Sequence, residues 1–304
     1  MTRHPLEPDE RTLHDHFSRD LEPVLEIQPG DSVHFRTLDA GWHREPLREP
    51  PKMPRTGRRG HALVGPVFVT GARPGSVLEV EILDLRPGAW GWTRSGGAPV
   101  DFFKRFGVDE GDPEWLLWSI DAGAGTARTQ HGHTVAIRPF LGVMGVAPTE
   151  RGFHATGPPR TVGGNLDCAQ LVAGSTLYLP VEVEGALFSC GDGHARQGDG
   201  EVCGTAIECP MERADLRFGV RTDVAIKTPR ARLAGAWLTI GVGPSLDESA
   251  NSALEAMLDL MQDQMDVSRK EALALASVVV DLRVTQVVNG TVGVHAILRD
   301  DAIS

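Results

Sequence analysis

The sequence predicts a mainly β protein with a smaller α+β portion at its C-terminus. Short segments that alternate apolar and polar residues recur along the chain, separated by glycine- and proline-rich turns, as in sandwiches and barrels. Helical spacing of apolar residues is confined to residues 249–276. Because strands and helices do not alternate along the chain, a doubly wound parallel sheet is not expected.

The composition indicates a globular protein with an acidic balance. The 304 residues carry a net charge of −11, which argues against a nucleic-acid-binding surface, because such surfaces are basic. The sequence contains no run of about 18 apolar residues, so we expect no transmembrane helix. The polar N-terminus does not match a secretory signal, so a cytoplasmic location with reduced thiols is expected. Phosphate-binding glycine motifs are missing from the sequence, which makes a nucleotide cofactor unexpected.

The chain is predicted to form one elaborated domain. Residues 1–19 are expected to be a mobile leader, and residues 20–304 the folded domain. Within that domain we expect a β-rich part at 20–244 and an α+β subdomain at 245–304.

Two Pro-Gly turns organise the N-terminal part. Residues 25–39 alternate on either side of Pro29-Gly30-Asp31, which predicts a strand, a turn and a strand. Residues 61–85 repeat the pattern around Gly71–Gly75 and predict a second hairpin. Between them lies a basic, proline-rich loop at 41–60, which is typical either of a binding or lid segment or of a disordered surface excursion.

The C-terminal part supplies helices and a further hairpin. Residues 249–266 place apolar side chains on one helical face, formed by Leu254, Met257, Leu258, Met261 and Met265. Ser268 and Glu271 match a capping box that begins a second helix. The pair Asn289-Gly290 lies between two alternating segments and predicts a hairpin with a type I′ turn.

Residues 163–208 hold the densest group of potential metal ligands and acid–base side chains, namely Asp167, Asp192, His194, Asp199 and Glu201. In an extended segment, residues two apart point to the same side. Asp192 should therefore converge with His194, and Asp199 with Glu201. A carboxylate and an imidazole on one side can hold a divalent cation. The alternative interpretation is a polar, glycine-rich turn between two strands.

Five stretches of the chain resemble the acetamidase/formamidase family of amide hydrolases. They are HALVGPVFVTGARPGSVLEVEIL (61–83), FLGVMGVAP (140–148), GGNLDC (163–168), GSTLYLPVEVEGALFSCGDGHARQGDGEVCGTAIE (174–208) and SRKEALALASVVVDLRVTQVVNGTVGVHAIL (268–298). The resemblance implies a β-sandwich or barrel-like fold with a smaller α+β portion, a cytoplasmic location and a homo-oligomer. It also implies hydrolysis of a short amide, such as formamide or acetamide, to ammonia and the carboxylic acid. Cys168 stands where family members often have asparagine, a difference that bears on substrate fit.

The first mechanism to consider for such a reaction is a metal-activated water, because a divalent metal polarises a carbonyl and lowers the pKa of water towards ~7. Asp167 and His194 are the predicted ligands, and Asp192 is either a third ligand or a group that orients His194. Glu201 is the predicted general base. Asp199 could exchange roles with Glu201. Mixed nitrogen and oxygen ligands suit zinc, whereas carboxylates and carbonyls alone would suit calcium.

Further candidates and alternatives remain open. His61 is a candidate ligand or oxyanion donor in the same pocket, although a lone histidine before a strand is often structural. Trp92, with Trp90, could form a wall of the pocket or pack against a sheet. The alternative mechanism uses Cys190 or Cys203 as nucleophile, although buried cysteine is commonly a small apolar filler. The alternative function is a metal-organised β binding module without turnover.

Overall fold

The computed structural model describes residues 2–49 and 58–303. The predicted loop at 41–60 therefore lies partly outside the described residues. Those residues contain 22 strands and three helices. In chain order the elements are β1 (Arg3–Leu6), β2 (Leu13–His14), β3 (His16–Phe17), β4 (Leu25–Ile27), β5 (Ser32–Phe35), β6 (Leu63–Val69), β7 (Val77–Pro87), β8 (Trp90–Ser95), α1 (Asp101–Phe106), β9 (Glu114–Asp121), β10 (Thr126–Thr129), β11 (Thr134–Ala136), β12 (Phe140–Gly145), β13 (His154–Ala155), β14 (Gly163–Asn165), β15 (Thr176–Pro180), β16 (Phe188–His194), β17 (Glu208–Cys209), β18 (Met211–Arg221), β19 (Arg230–Leu233), β20 (Ala236–Gly243), α2 (Leu246–Met265), α3 (Arg269–Val279), β21 (Val280–Gln286) and β22 (Val292–Arg299).

Two large sheets contain most of these strands. Within the described ranges, the first sheet has nine strands in the order β1-β5-β18-β7-β15-β19-β20-β22-β21. The second has eleven, eight of them in the order β11-β10-β9-β8-β17-β16-β12-β14, with β6 paired to β16 and both β2 and β4 paired to β6. The strand pairs at the centre of each sheet are antiparallel, whereas the pairs β1–β5 and β4–β6 are parallel.

The core lies between the two sheets and confirms the predicted fold class. Phe188 belongs to β16 of the second sheet, and its ring meets the ring of Phe218 on β18 of the first sheet at a centroid distance of 5.1 Å. Phe35 on β5 joins the same group, at 6.1 Å from Phe188. All three rings are fully buried and meet edge to face, a geometry that aromatic pairs favour. Side chains from two facing sheets therefore fill one core, as in a β-sandwich.

The helical part of the prediction is also confirmed. Helix α2 begins after Ser245, whose side chain accepts a hydrogen bond from Glu248 N, and α3 begins after Ser268, which caps Glu271 N in the same way. The predicted apolar face of α2 packs on the first sheet, with Met257 and Met261 fully buried. No helix within residues 2–49 and 58–303 combines the length and apolarity needed to cross a bilayer.

Three predictions about the chain's organisation are wrong. The expected leader at 1–19 contributes strands β1–β3, because Leu6, Leu13 and Phe17 are buried in the fold. The two expected N-terminal hairpins do not form, since β4 and β5 belong to different sheets, and so do β6 and β7. The boundary placed at residue 244 falls inside one sheet, because β22 pairs with β20 along its whole length.

Candidate active site

Strand β16 carries two of the predicted site residues through the centre of the second sheet. All seven of its residues are buried, and it pairs with β12 on one side and with β6 and β17 on the other. Asp192 Oδ1 lies 3.4 Å from His194 Nε2, so the two side chains converge as their spacing predicts. A Cβ at Gly193 would lie 2.5 Å from the carbonyl oxygen of Cys209. This glycine therefore serves close strand packing. The alternative interpretation of a glycine-rich turn is wrong for Asp192 and His194, which lie on β16, and the turn between two strands follows His194.

Asp167 and Glu201 reach the same place from two loops. Asp167 follows β14, and its backbone N–H donates to the carbonyl oxygen of Gly142 on β12 at 3.1 Å. Glu201 lies in a turn that closes when Gly204 N donates to the Glu201 carbonyl oxygen at 2.8 Å. Both side chains are buried, with 1% exposure for Asp167 and 6% for Glu201. One donor atom from each, together with one from His194, lie within 4.8 Å of one another.

Glu208 completes a second donor group and was not among the predicted site residues. It lies on β17, is 2% exposed, and places Oε2 at 3.2 Å from His194 Nε2. Its other oxygen accepts a hydrogen bond from Ala206 N at 2.8 Å. Donor atoms of Asp192, His194 and Glu208 lie within 4.8 Å of one another. The signal in the sequence was a single carboxylate in the apolar run Ala206–Met211, since buried glutamate is rare unless paired.

Three of the four carboxyl groups favour the protonated form. Burial raises the pKa of Asp167 well above its usual value, and the charges of Glu201 and Asp192 act in the same direction. Burial likewise raises the pKa of Glu201 to about 7 and that of Glu208 to about 8, although the attraction of His194 opposes it. Glu201 and Glu208 are therefore poised near neutral pH, where acid–base chemistry operates.

His194 and Asp192 form the ionised pair. Burial lowers the pKa of His194, but the carboxylates of Glu208 and Asp192 outweigh it and hold that pKa well above its usual value. Burial raises the pKa of Asp192, but the charges of His194 and His61 outweigh it and hold that pKa below its usual range. Opposite charges therefore face each other inside a cluster that is otherwise rich in carboxyl groups.

The donor set fits a divalent cation. Within the described part of the chain, six buried atoms of the cluster have no hydrogen-bond partner: Asp167 Oδ1, Asp192 Oδ1, His194 Nδ1, His194 Nε2, Glu201 Oε2 and Glu208 Oε2. Buried polar atoms are normally paired, because each unpaired one costs about 1–3 kcal/mol. A cation among them would satisfy the oxygens and favour the ionised form of the carboxyl groups, because a nearby positive charge lowers their pKa.

Gly142 leaves the space in which these donors meet. A Cβ at this position would lie 2.8 Å from both Asp167 Oδ1 and His194 Cε1, and closer still to Asp192 Oδ2. Real Cβ atoms essentially never approach other atoms within 3.0 Å. The absence of a side chain on this buried strand therefore keeps a cradle open between the carboxylates and the imidazole.

The backbone around the cluster is unusual. Asp167, Asp192 and Glu201 have positive φ values of 48°, 57° and 44°. Non-glycine residues adopt this left-handed region rarely, at a cost on the order of 1 kcal/mol each. Three strained residues in one cluster are typical of functional sites, where the surrounding structure enforces the geometry.

A cavity of about 370 Å³ opens onto the cluster at Asp192, Glu201 and Glu208. The predicted substrate residues His61 and Trp92 both line it. Thr156 holds His61, since its Oγ1 accepts a hydrogen bond from His61 N at 2.8 Å and lies 2.9 Å from the ring Nδ1.

Trp92 forms an apolar wall of this cavity. Its indole N–H donates to the buried Asp39 Oδ2 at 2.6 Å, which occupies the indole donor and leaves the ring face for contact with a ligand. The ring of Trp92 also packs against Trp115, at a centroid distance of 5.2 Å.

Asp199 is not brought into the cluster. Its side chain is exposed, lies 3.7 Å from Arg283 and accepts a hydrogen bond from Gln170 Nε2 at 3.5 Å. The expected convergence of Asp199 with Glu201 fails because Gly200 and Glu201 both have positive φ, so this segment is not extended.

The two candidate nucleophiles also lie elsewhere. Cys190 is fully buried within β16, and burial raises the pKa of its thiol. Cys203 borders a second cavity, of about 260 Å³, which Glu201 also lines, and its thiol donates to the carbonyl oxygen of Thr205 at 3.4 Å.

Comparisons with known proteins agree with this architecture. The model of the Acetamidase/Formamidase family matches residues 2–153 and 149–297. An acetamidase of Mycolicibacterium smegmatis is 29% identical over an alignment of 274 positions, which covers 65% of this chain and 66% of that protein. A formamidase of Methylophilus methylotrophus is 26% identical over an alignment of 287 positions, which covers 73% of this chain and 67% of that protein. The chain thus spans about two thirds of the length of these relatives.

A solved structure covers nearly the whole chain. It is described as a recombinant predicted acetamidase/formamidase from the thermophile Thermoanaerobacter tengcongensis, and it superposes with a TM-score of 0.88 at 27% identity. The match covers 98% of this chain and 96% of that one. On the strength of the family model, which spans nearly all of its length, this chain belongs to the acetamidase/formamidase family.

Proposed function

We propose that this protein hydrolyses a short aliphatic amide, such as formamide or acetamide, to ammonia and the carboxylic acid. The observation that carries the proposal is the buried convergence of His194 with four carboxyl groups at the floor of an open cavity. Membership of a family whose relatives include an acetamidase and a formamidase supports the same reaction. A binding module without turnover would not need this number of acid–base groups in one place.

We further propose that the cluster holds a divalent metal, with zinc as the preferred ion. Asp167, Asp192, His194 and Glu208 would hold it, because each has a buried donor atom without a hydrogen-bond partner among the described residues. His194 belongs to one donor group with Asp167 and to the other with Asp192 and Glu208. The imidazole of His194 would give up its proton when it binds a metal, and it favours zinc over calcium, which takes oxygen ligands. When bound, such a cation supplies a Lewis acid for the amide carbonyl and lowers the pKa of water.

Glu201 would act as the general base. Its side chain faces the cavity, and its pKa of about 7 lets it take a proton from water and return it to the leaving nitrogen at neutral pH. His61 would donate a hydrogen bond to the carbonyl oxygen from Nε2, since Thr156 engages Nδ1. Trp92 would exclude water from the apolar side of the substrate.

The test combines metal content with ammonia release, before and after chelation. The wild type should lose activity with its metal and regain it with zinc. Glu201→Gln should keep the metal and lose activity by roughly 100-fold or more, because general acid–base catalysis contributes about that factor. Glu208→Gln should lose metal and activity together. Glu212→Gln, an exposed carboxylate on β18, is the matched control and should change neither. Full activity after complete removal of metal would refute the metal-dependent scheme.

A further inference from the structure

The turn of the C-terminal hairpin reaches the donor cluster from the other sheet. Asn289 lies between β21 and β22, and its side-chain amide donates to Asp167 Oδ2 at 3.3 Å. It also borders the cavity that opens onto Glu201. Asn289 and Asp167 are 122 positions apart in sequence. Local sequence patterns predicted only the turn conformation of Asn289.

The contact distinguishes the two oxygens of Asp167. Oδ2 accepts from Asn289, whereas Oδ1 has no hydrogen-bond partner among the described residues and borders the cradle at Gly142. The backbone of Asp167 is fixed independently, since its carbonyl oxygen accepts from Gln197 Nε2 at 2.7 Å. Rotation of the carboxylate is therefore the remaining freedom, and the Asn289 amide restrains it.

A buried glutamine restrains the side chain of Asn289 through a hydrogen bond. Gln286 is fully buried, and its Oε1 accepts the second amide proton of Asn289 at 2.8 Å. Its own amide donates to the carbonyl oxygen of Asn165 at 2.7 Å. The hairpin thus binds the segment 165–167 through two hydrogen bonds, one from Gln286 to Asn165 and one from Asn289 to Asp167, and a third hydrogen bond joins Gln286 to Asn289.

The same hairpin also fixes the backbone next to Glu201. Gly200 N donates to the carbonyl oxygen of Thr285 at 3.0 Å, and Val287 N donates to that of Gly200 at 3.0 Å. The β21–β22 hairpin therefore fixes the positions of both Asp167 and Glu201, which form one of the two donor groups together with His194.

We infer that Asn289, supported by Gln286, is a positioning residue that turns Asp167 Oδ1 towards the donor cluster. The turn itself does not need the amide. Asn289 and Gly290 have φ values of 70° and 74°, and glycine satisfies a positive φ at least as well as asparagine. The inference rests on the proposed function, because it assigns a role within the same site. Partners that orient metal-binding groups typically contribute 10–100-fold to metal affinity or activity.

Asn289→Gly removes the amide while keeping the turn, and Asn289→Asp keeps the shape while replacing the donor with a carboxylate. Zinc retention against a graded chelator, kcat and KM for ammonia release, and thermal unfolding of the metal-free protein should be measured for each. We expect both variants to fold, to retain zinc about 10–100-fold less tightly and to lose kcat. Metal-free Asn289→Gly should unfold at a somewhat lower temperature than the wild type, because Gln286 Oε1 loses its partner. Asp266→Gly, at a positive φ of 53° after α2, is the matched control and should change neither zinc retention nor kcat.

The outcomes separate this inference from the proposed function. A wild type that binds zinc and releases ammonia, with Asn289→Gly equal to it in both, overturns the positioning role alone. Loss of kcat in Asn289→Gly but recovery in Asn289→Asp would also overturn it, since shape and not the donor would then matter. A wild type that neither binds zinc nor releases ammonia overturns the proposed function together with this inference.

Discussion

Replacing Gly142 with alanine places one methyl group inside the donor cluster. Its Cβ would lie 2.8 Å from Asp167 Oδ1 and from His194 Cε1, and closer still to Asp192 Oδ2. All three side chains are buried, so they cannot swing into solvent to make room. The donors must shift apart, and a displacement of about 1 Å at a reacting centre costs about 100-fold in rate. We therefore expect Gly142→Ala to lose at least that factor.

The stability of the fold should change much less than the activity. Gly142 does not have a positive φ, so alanine is favoured there by about 0.5–1 kcal/mol on backbone grounds. Overpacking costs about 1–3 kcal/mol and opposes this gain. The net effect on the free energy of unfolding should thus lie between about zero and 2.5 kcal/mol.

Gly198→Ala is the matched control for Gly142→Ala. It replaces a glycine that lies three residues before Glu201, but its Cβ would meet no atom of the described residues within 4 Å. Ammonia release from formamide and acetamide, bound metal and thermal unfolding should be compared for the two variants. Gly198→Ala should match the wild type in all three. If Gly142→Ala retains full activity and metal, the converging donors are not the working site and the reasoning fails.

Three further predictions follow from the positions of single side chains. Asp199→Asn should leave ammonia release within about twofold of the wild type, because Asp199 is exposed and outside the donor groups; a large loss would return it to the site. Cys203→Ala should also keep its activity, since the thiol belongs to neither donor group and donates to the carbonyl oxygen of Thr205, and an inactive but folded variant would favour a cysteine nucleophile. Burial lowers the pKa of His14 from 6.5 to about 4, so on acidification this histidine is protonated at a higher pH in the unfolded chain than in the folded protein. Between pH 7.5 and 5, the wild type should therefore lose about 2 kcal/mol more of its unfolding free energy than His14→Gln, as measured by urea unfolding, and parallel pH profiles would contradict this.

Local signals in the sequence predicted the elements that local interactions decide. Helices α2 and α3 begin at serine caps, and the hairpin β21–β22 forms around Asn289-Gly290, because capping and turn chemistry act within a few residues. The Pro-Gly turns at 29–30 and 74–75 also reverse or redirect the chain. They do not decide which strands pair, and so β4 joins β6 while β7 joins β18 and β15.

The same limit applies to the candidate site. Period-two spacing identified Asp192 and His194 because they share one strand, and it failed for Asp199 because Gly200 has a φ of 101°. Glu208 and Asn289 reach the cluster through pairing of β17 with β16 and through the position of the hairpin end. Contacts of that kind depend on the tertiary fold and leave no regular spacing in the sequence.

The left-handed backbone at Asp167, Asp192 and Glu201 implies that function and stability oppose each other at these positions. Glycine would relieve a strain on the order of 1 kcal/mol and would also remove a buried carboxyl group. Glu201→Gly should therefore be at least as resistant to heat as the wild type while losing its activity. Selection for thermal stability alone, without an activity screen, would be expected to erase this site first.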